Sequence, residues 1–339
     1  MNTSSSAQVT PERIMQFAWG YAPPLILEAA IRHRVFDVLD SGPKTLKEVQ
    51  AATGASERGL AAIMNALCGL NFLEKDEQAR YALTAESAAF LVTTKPSFQG
   101  GILLHISEQL IPRWLHLKEI VGTGKPVSSA NLEESGSEFF QNFVMDIYPM
   151  SYPAANALAK ALAVDKANGP VSVLDLAAGS AVWSIALAQM SPQVSVTAVD
   201  WPGVLEVTRK STARFSLADR FQFVEGDLLS ADFGENHTIA TLGHILHSEG
   251  EERSKALLAK TFDSLASGGT IAVAEFLVNQ ERTGPPTGLI FAVNMLVNSD
   301  NGDTFSFEEI SSWLKEAGFV NPRTLDAPGP SPLILATKP

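Results

Sequence analysis

The second half of the chain alternates between short apolar segments and helical segments, and this alternation constrains the fold more than any other feature of the sequence. Strands that alternate with helices pair in parallel, because each connecting helix packs against one face of the sheet. The pattern therefore predicts an α/β fold with a Rossmann-like, doubly wound, mostly parallel sheet. The predicted strands are 171–176, 194–199, 221–225, 238–242, 270–276 and 332–336, and the predicted helices are 184–190, 204–211, 251–265 and 307–317.

The first hundred residues show a different, mostly helical pattern of apolar residues. Thr45 and Glu48 have the spacing of a capping box at the start of one helix, and Gly54 is placed to end that helix. The segments 72–75 and 81–83 resemble a short hairpin. Together these features predict an all-helical domain of the winged-helix type, with the hairpin as its wing, and its simplest role is packing or dimerisation.

With 339 residues the chain is longer than one hydrophobic core usually organises, so we expect separate domains. We predict a winged-helix dimerisation domain at 1–100, a helical linker that also lines a substrate pocket at 101–168, and a Rossmann-like domain at 169–339. Aromatic and methionine side chains are dense before the first strand, and most of them should belong to the core. Position makes six residues candidates for the pocket lining: Met145, Tyr148, Met150, Tyr152, Asn294 and Met295.

The formal net charge of −12 argues against nucleic acid and anionic lipid as partners. In the first hundred residues nine Lys and Arg stand against ten Asp and Glu, so the winged helix lacks the basic surface of a DNA reader. We see neither a membrane-spanning stretch nor a secretory signal, and we expect a cytoplasmic protein. The single cysteine, Cys68, cannot form an internal disulfide or a thiolate metal cluster.

Acidic residues close three successive predicted strands, at Asp175, Asp200 and Asp227. Ligands of open α/β sheets bind where the carboxyl ends of the strands meet, so these carboxylates should converge on one pocket. Asp200 is placed to accept both ribose hydroxyls of an adenosine, and Asp227 to reach the adenine amino group while Leu228 packs on the ring. A dinucleotide is disfavoured because Gly179 is the one glycine in the first loop. An acidic rim suits a cationic sulfonium cofactor and repels a polyphosphate.

Three short stretches make a family resemblance specific: Asp200-Trp201-Pro202-Gly203-Val204, Gly226-Asp227-Leu228, and Leu246-His247-Ser248 with Glu251-Glu252. Over nearly its whole length the chain resembles the caffeate, acetylserotonin and bacterial polyketide O-methyltransferase family. In that family an N-terminal winged-helix dimerisation domain precedes the Rossmann-like domain. The resemblance implies a homodimeric, S-adenosylmethionine-dependent methyltransferase that acts on a small apolar or aromatic acceptor.

The same resemblance implies roles for individual residues. Asp175 and Gly179 would flank the methionine end of the cofactor, and Asp200 would hold the ribose. Asp227 and Leu228 would hold the adenine. Trp201, next to the ribose-binding aspartate, would belong to the same cofactor site.

His247 would be the general base, and Glu275, 28 residues later, would orient it. A phenol with a pKa of about 10 is only about one part in a thousand ionised at neutral pH, so a base that removes its proton offsets about 4 kcal/mol. An imidazole suits that task, and a carboxylate fixes its tautomer and stabilises its charged form. A histidine after an apolar strand is otherwise an ordinary structural group, and Ser248 and Glu251 have the spacing of a helix capping box.

The chain departs from the family pattern in the first loop, where Ala177, Ala178 and Ala181 replace frequent glycines. Three methyl groups therefore stand where the backbone comes closest to the cofactor, and binding is expected to be weaker or displaced. His244 stands near the place of a frequent basic residue. A second acid that orients the histidine in some members would fall near Asp303.

Other functions remain open from the sequence. The acceptor atom could be nitrogen or carbon instead of oxygen, because all three reactions need the same cofactor and a similar base. A second possibility is an enzyme that binds the cofactor without transferring its methyl group, and a third is a transcription regulator that uses the winged helix. We expect no metal, since His247 and Glu275 lack a convincing third ligand in the sequence.

Overall fold

A computed structural model describes residues 9–130, 140–141, 143–329 and 331–339. The chain forms two compact units, Met1–Glu108 and Gln109–Pro339. The three-part division expected from the sequence, at residues 100 and 168, stays a prediction. Within the described residues, every helix is too short or too polar to cross a lipid bilayer.

The first unit is helical apart from three short strands. Strand β1 (Lys44–Thr45) pairs with β3 (Arg80–Leu83), which also pairs with β2 (Leu73–Lys75), and both pairs are antiparallel. The predicted hairpin is therefore confirmed. The helices are α1 (Glu12–Ala18), α2 (Ala22–Arg32), α3 (Val35–Leu39), α4 (Leu46–Thr53), α5 (Glu57–Gly69), α6 (Ala85–Phe90) and α7 (Gly101–His105), after which a π-helical turn covers Ile106–Leu110.

Local sequence signals determine where helix α4 begins and ends. The Thr45 hydroxyl accepts the backbone N–H of Glu48, and the Glu48 carboxylate accepts the backbone N–H of Thr45 at 2.7 Å, so the predicted capping box is present. Gly54 ends the helix in the left-handed conformation, with φ 71°. The unit closes around a core of side chains from helices α2 to α5 and both hairpin strands, among them Phe36, Leu60, Met64, Leu67 and Tyr81.

The second unit contains the predicted sheet, whose described strands lie in the order β6-β5-β4-β7-β8-β10-β9. The five strands from β6 to β8 in this order are parallel, whereas β10 is antiparallel to both of its neighbours. The doubly wound, mostly parallel fold is confirmed. The strands are β4 (Val171–Leu176), β5 (Val194–Asp200), β6 (Phe221–Glu225), β7 (His237–Gly243), β8 (Leu265–Ala274), β9 (Val320–Leu325) and β10 (Leu333–Thr337).

Strand β9 is absent from the sequence-based prediction. It lies at the edge of the sheet and leaves most of its side chains exposed or half-buried, so its sequence lacks the apolar run that marks the central strands. Pro322 within it is tolerated because an edge strand need not donate every ladder hydrogen bond.

Helices cover both faces of the sheet. Side chains alternate between the faces along β4: Val173 joins one apolar cluster, with helices α11 and α12, while Leu174 joins another, with α13 and α15. Burial on both faces explains the almost continuous apolar sequence of the central strands. The helices of this unit are α8 (Ile111–Trp114), α9 (Leu117–Thr123), α10 (Tyr148–Ala161), α11 (Val182–Met190), α12 (Pro202–Arg214), α13 (Leu246–Ser264), α14 (Pro286–Asn298) and α15 (Phe307–Glu316).

Helix α13 begins five residues before its predicted start at 251 and contains a kink at Gly250. Gly250 has φ 76°, and a Cβ there would lie 2.4 Å from the carbonyl oxygen of Asn301, so the position requires glycine. Ser248 lies within this first segment, where its hydroxyl donates to the carbonyl of Ile245 at 2.9 Å. The kinked first turn is the element that carries His247.

Candidate active site

The carboxyl ends of the parallel strands β6, β5, β4, β7 and β8 meet along one edge of the sheet. The predicted acids Asp175, Asp200 and Asp227 lie at or just after the ends of β4, β5 and β6. His247 follows β7, and Glu275 follows β8. The topology thus brings the proposed cofactor residues and the proposed catalytic pair to the same edge.

Asp175 is a buried carboxylate held by two hydroxyl groups. It is 1% exposed, and it accepts hydrogen bonds from Ser184 and, at 2.7 Å, from Thr241. Burial raises the pKa of Asp175 to about 7, against the effect of both hydrogen bonds, and the nearby Asp200 carboxylate raises it further. These contacts suit a group that supports the first loop from beneath, and direct contact with a cofactor stays a prediction.

We expect Asp175 to make the stability of the protein depend on pH. Because its pKa in the folded state is raised, the folded state holds the proton more tightly than the unfolded chain, and the resulting stabilisation is lost as the pH rises through about 7. Between about pH 5 and pH 8, Asp175→Asn should therefore gain stability relative to the wild type, by at most about 1 kcal/mol per pH unit. Urea unfolding across this range measures the difference, with the exposed Asp165→Asn as control; a constant difference would contradict the prediction.

The first loop, residues 177–181, adopts an unusual backbone conformation at three positions. Ala177, Gly179 and Ala181 all have positive φ values, of 52°, 54° and 59°. This is the left-handed region, which glycine occupies without strain and alanine does not. The replacement of frequent glycines, noted in the sequence, therefore retains the loop shape at the cost of backbone strain.

Ala177→Gly is expected to stabilise the protein by about 1 kcal/mol, because it removes that strain at a half-buried position. The same substitution at the exposed Ala256, in the interior of helix α13, should destabilise the protein by about 0.5–1 kcal/mol. Thermal unfolding of the two variants compares the signs directly. A loss of stability in Ala177→Gly would show that the left-handed alanine carries no strain.

Asp200 ties the first loop to the end of β5. Its carboxylate accepts the backbone N–H of Gly179 at 2.9 Å and that of Trp201 at 2.8 Å. The Thr208 hydroxyl donates to the carbonyl of Gly179 at 2.7 Å and holds the loop from helix α12. Burial raises the pKa of Asp200 to about 6, and the two backbone N–H groups act against this shift. The site therefore positions a carboxylate beside a backbone that is shaped for close approach.

Arg253 is a site residue that the sequence reasoning missed. It donates to the carboxylate of Asp227 at 2.6 Å and to that of Glu249 at 2.5 Å, and Asp227 also accepts the backbone N–H of Leu229. Leu228 is buried beside this group. The four-residue spacing of Glu249 and Arg253 on one helix was the available sequence signal. Arg253 thus fixes the orientation of the acid assigned to the adenine.

His247 and Glu275 form a buried pair. The Nδ1 atom of His247 lies 2.7 Å from one Glu275 oxygen, and the backbone N–H of His247 donates to the other at 3.2 Å. Burial acts to raise the pKa of Glu275, but the imidazole of His247 and its hydrogen bonds prevail and hold the pKa below its usual range. A charged carboxylate thus orients the ring, as the sequence analysis expected of this pair.

A second histidine, His244, lies in the same place, and it was not among the predicted site residues. Its backbone has φ 62°, and its N–H donates to the carbonyl of Ala274 at 2.9 Å. Its ring packs between Trp183 and Phe276, with centroid distances of 6.3 and 5.0 Å. Burial lowers the pKa of His244 to about 4.

The indole of Trp183 explains the glycine before His244. A Cβ at Gly243 would lie 1.9 Å from the Trp183 Nε1 atom, so a larger residue cannot stand here without moving the indole. The departure from the family pattern at Gly243 therefore accompanies a large aromatic side chain on helix α11.

Aromatic rings enclose His247 on the side of helix α14. Phe291 meets the imidazole edge-on at 4.9 Å, and Phe276 lies 4.1 Å from Phe291, centroid to centroid. Neither phenylalanine was singled out from the sequence. Their one signal was proximity in the chain to Glu275 and to the proposed pocket residue Asn294.

The six residues proposed to line the pocket have differing surroundings. Asn294 accepts the indole N–H of Trp114 at 3.0 Å, and Met295 is buried on the same helix as Phe291. Tyr148 stacks between Tyr152 and Phe215, and the Tyr152 hydroxyl donates to Gln189. Burial raises the pKa of Tyr148. Met145 and Met150 are half-buried. A role of these residues in substrate binding stays a prediction.

Two further expectations concern Trp201 and Asp303. Trp201 follows Asp200 directly and lies 6.2 Å from the ring of Phe140. The Asp303 carboxylate lies 3.5 Å from the Arg282 guanidinium, whereas its backbone N–H donates to the carbonyl of His247 at 2.9 Å. Asp303 therefore contacts the backbone of His247 and not its ring.

Comparisons with known proteins agree with this geometry. A family model described as the O-methyltransferase domain matches residues 148–320, and an O-methyltransferase dimerisation domain matches residues 15–93. The chain is 27% identical to 3-hydroxy-5-methyl-1-naphthoate 3-O-methyltransferase of Streptomyces sahachiroi, over 97% of this chain and 95% of that protein. It is 26% identical to L-tyrosine C(3)-methyltransferase of Streptomyces lavendulae, over 99% and 95%.

The solved structure of human N-acetylserotonin methyltransferase in complex with SAM is similar in fold. Its TM-score is 0.86 at 22% sequence identity, and the match covers 100% of this chain and 99% of that chain. The likeness therefore extends over both units of the chain.

Proposed function

The chain belongs to the O-methyltransferase family of S-adenosylmethionine-dependent enzymes, and from this premise we propose that it methylates a hydroxyl group on a small apolar or aromatic acceptor of the secondary-metabolite type, with His247 as the general base. The observation that carries the proposal is the buried pair of His247 and Glu275 at the edge of the sheet. A pair of this kind holds an imidazole in one tautomer and stabilises its protonated form.

The residues at the strand ends fit the cofactor. The left-handed backbone at Gly179 and the carboxylates of Asp175 and Asp200 provide an acidic, closely approachable loop, which suits a cationic sulfonium compound. Asp200 would accept the ribose hydroxyls beside Trp201, and Asp227 with Leu228 would hold the adenine. When bound, S-adenosylmethionine supplies a methyl group that is activated by the positive charge on sulfur.

The protein itself must align the acceptor and remove its proton. Holding the acceptor oxygen within about 3–3.5 Å of the methyl carbon contributes up to roughly 7–11 kcal/mol. His247 takes the hydroxyl proton on the ring nitrogen that faces away from Glu275, and the Glu275 carboxylate balances the charge that results. Phe276 and Phe291 exclude water from this step and offer apolar surface to an aromatic acceptor.

Carbon or nitrogen remains the alternative acceptor atom. A relative acts as a tyrosine C(3)-methyltransferase, and carbon methylation of a phenol uses the same base to generate a phenolate. An enzyme that binds the cofactor without methyl transfer is a further alternative. The first possibility differs from O-methylation in the position of the methyl group, and the second in the lack of S-adenosylhomocysteine.

We also propose that the protein is a homodimer through its first unit. That unit matches a dimerisation domain, and several large apolar side chains of helix α1 and the following turn are exposed: Ile14, Phe17, Trp19 and Tyr21. Exposed apolar groups in such a cluster favour association. Light scattering on the eluting protein should give twice the mass of the chain.

The deciding experiment incubates the purified protein with methyl-labelled S-adenosylmethionine and a metabolite extract of the source organism. Mass spectrometry should find S-adenosylhomocysteine together with a labelled product whose methyl group sits on oxygen. A labelled carbon would favour the alternative, and turnover without S-adenosylhomocysteine would exclude methyl transfer. If calorimetry detects no uptake of S-adenosylmethionine or S-adenosylhomocysteine by the folded protein, the proposal fails.

A further inference from the structure

Three metal-binding side chains converge at the ends of β7 and β8. His244, His247 and Glu275 each offer one ligand atom, and these three atoms all lie within 4.8 Å of one another. His247 and Glu275 are buried, and His244 is half-buried. The absence of a third ligand was the reason to expect no metal from the sequence, and His244 removes that reason.

His244 has a nitrogen that the protein leaves without a partner. Its Nδ1 atom is buried and makes no hydrogen bond with any described residue. The ring is held by its neighbours Trp183 and Phe276, and its backbone is held by Ala274. A buried polar atom without a partner in a native protein calls for an explanation, and an unmodelled ion is one of the usual ones.

The donor set selects a particular class of ion. Two imidazole nitrogens and one carboxylate oxygen are the ligands of catalytic zinc sites, in which a fourth position stays open. Magnesium and calcium prefer oxygen ligands and do not suit two histidines. The Glu275 carboxylate is charged and partly enclosed by the rings of Phe276 and Phe291, so a divalent cation there would gain strongly from the low local dielectric.

The present distances are close to those that such an ion requires. Ligand bonds of about 2.0–2.1 Å in a tetrahedral site separate the ligand atoms by about 3.3 Å. His247 and Glu275 are now 2.7 Å apart, and the full set lies within 4.8 Å. Small side-chain rotations would therefore complete the coordination, with the ion replacing the hydrogen bond between His247 and Glu275 or completing it from the other ring nitrogen.

We propose that His244, His247 and Glu275 form a binding site for a divalent transition-metal ion of the zinc class, and that occupancy of this site inhibits the enzyme reversibly. Binding itself is independent of the reaction, whereas inhibition rests on the proposed function of His247. An imidazole that coordinates a metal cannot accept the acceptor's proton, so the bound ion and the proton transfer exclude each other.

The test uses the untagged full-length protein and Co²⁺ as a spectroscopic substitute for Zn²⁺. Titration with Co²⁺ alone should produce the visible absorption of a four- or five-coordinate ion at one equivalent per chain, and Zn²⁺ should abolish it by displacement. His244→Asn removes the third ligand, and asparagine tolerates the left-handed backbone at this position. It should weaken Co²⁺ binding by at least about tenfold, since even outer partners of a metal site carry that much.

Two further variants complete the test. The exposed His116→Asn, which removes a histidine elsewhere, should bind Co²⁺ as the wild type does. His244→Cys replaces the imidazole with a thiolate ligand, so a cobalt–sulfur charge-transfer band should appear. This variant decides the matter if His244→Asn fails to fold.

The possible results separate the metal site from the proposed function. Absence of cobalt absorption in the wild type, or binding by a folded His244→Asn that equals the wild type, overturns the metal site. A missing charge-transfer band in His244→Cys does the same. If Co²⁺ binds as expected but Zn²⁺ leaves methyl transfer unchanged, the inhibitory role of the ion is wrong. The proposed function itself fails only if S-adenosylmethionine is neither bound nor consumed.

Discussion

Replacement of His247 by alanine should lower the turnover number by about 10²–10⁴-fold, the range typical for the loss of a positioned general base. The physical reason is the buried contact of 2.7 Å to Glu275, which aims one imidazole nitrogen away from the carboxylate toward the acceptor. Without the ring, a neutral hydroxyl must attack the methyl group before it loses its proton. The measurement is steady-state methyl transfer to the acceptor found by the extract screen.

The binding of the cofactor provides the internal control for this variant. His247 makes no contact with the residues assigned to the ribose and adenine among the hydrogen bonds of the described chain, so the dissociation constant for S-adenosylhomocysteine should stay within about twofold. The exposed His116→Ala should retain full turnover. Unchanged turnover in His247→Ala would remove the general-base role and leave the fold and the family assignment intact.

Asp200→Asn should weaken cofactor binding by roughly 10–150-fold. Hydrogen bonds to a charged group contribute about 1.5–3 kcal/mol, and that difference corresponds to this range of dissociation constants. The carboxylate now accepts N–H groups from both Gly179 and Trp201 while it keeps lone pairs for ribose hydroxyls. An asparagine has one acceptor oxygen, so its NH₂ group must face one of these donors.

Calorimetry with S-adenosylhomocysteine measures this effect, and Asp219→Asn, at an exposed position, is the matched control. The melting temperature without ligand shows whether the variant still folds, because Asp200 also holds the first loop. A folded Asp200→Asn protein with the wild-type dissociation constant would contradict the placement of the ribose at this carboxylate.

The sequence predicted some elements well because their determinants are local. The capping boxes at Thr45 and Ser306 are both present, since each depends on a hydroxyl and a carboxylate three residues apart. The central strands were recognised because burial on both faces demands continuous apolar residues. Strand β9 was missed for the same reason: an edge strand leaves its side chains largely exposed and carries no such pattern.

The candidate site divides along the same line. The strand-end acids and the spacing from His247 to Glu275 were visible in the chain, because the parallel alternation places every strand end at one edge. Arg253, His244, Phe276 and Phe291 were not assigned to the site, since their importance lies in which partners they meet and not in any motif.

The sequence by itself determined the doubly wound sheet, the helical first unit with its hairpin, and the residues that reach the ligand edge, because periodicity and strand order follow from local pattern. Only the tertiary structure decided which of these residues touch. It directed Asp227 to Arg253, buried Asp175 beneath the first loop, and placed His244 beside His247 and Glu275. Contacts of this kind depend on side-chain directions and kinks, such as the one at Gly250, that a linear pattern does not encode.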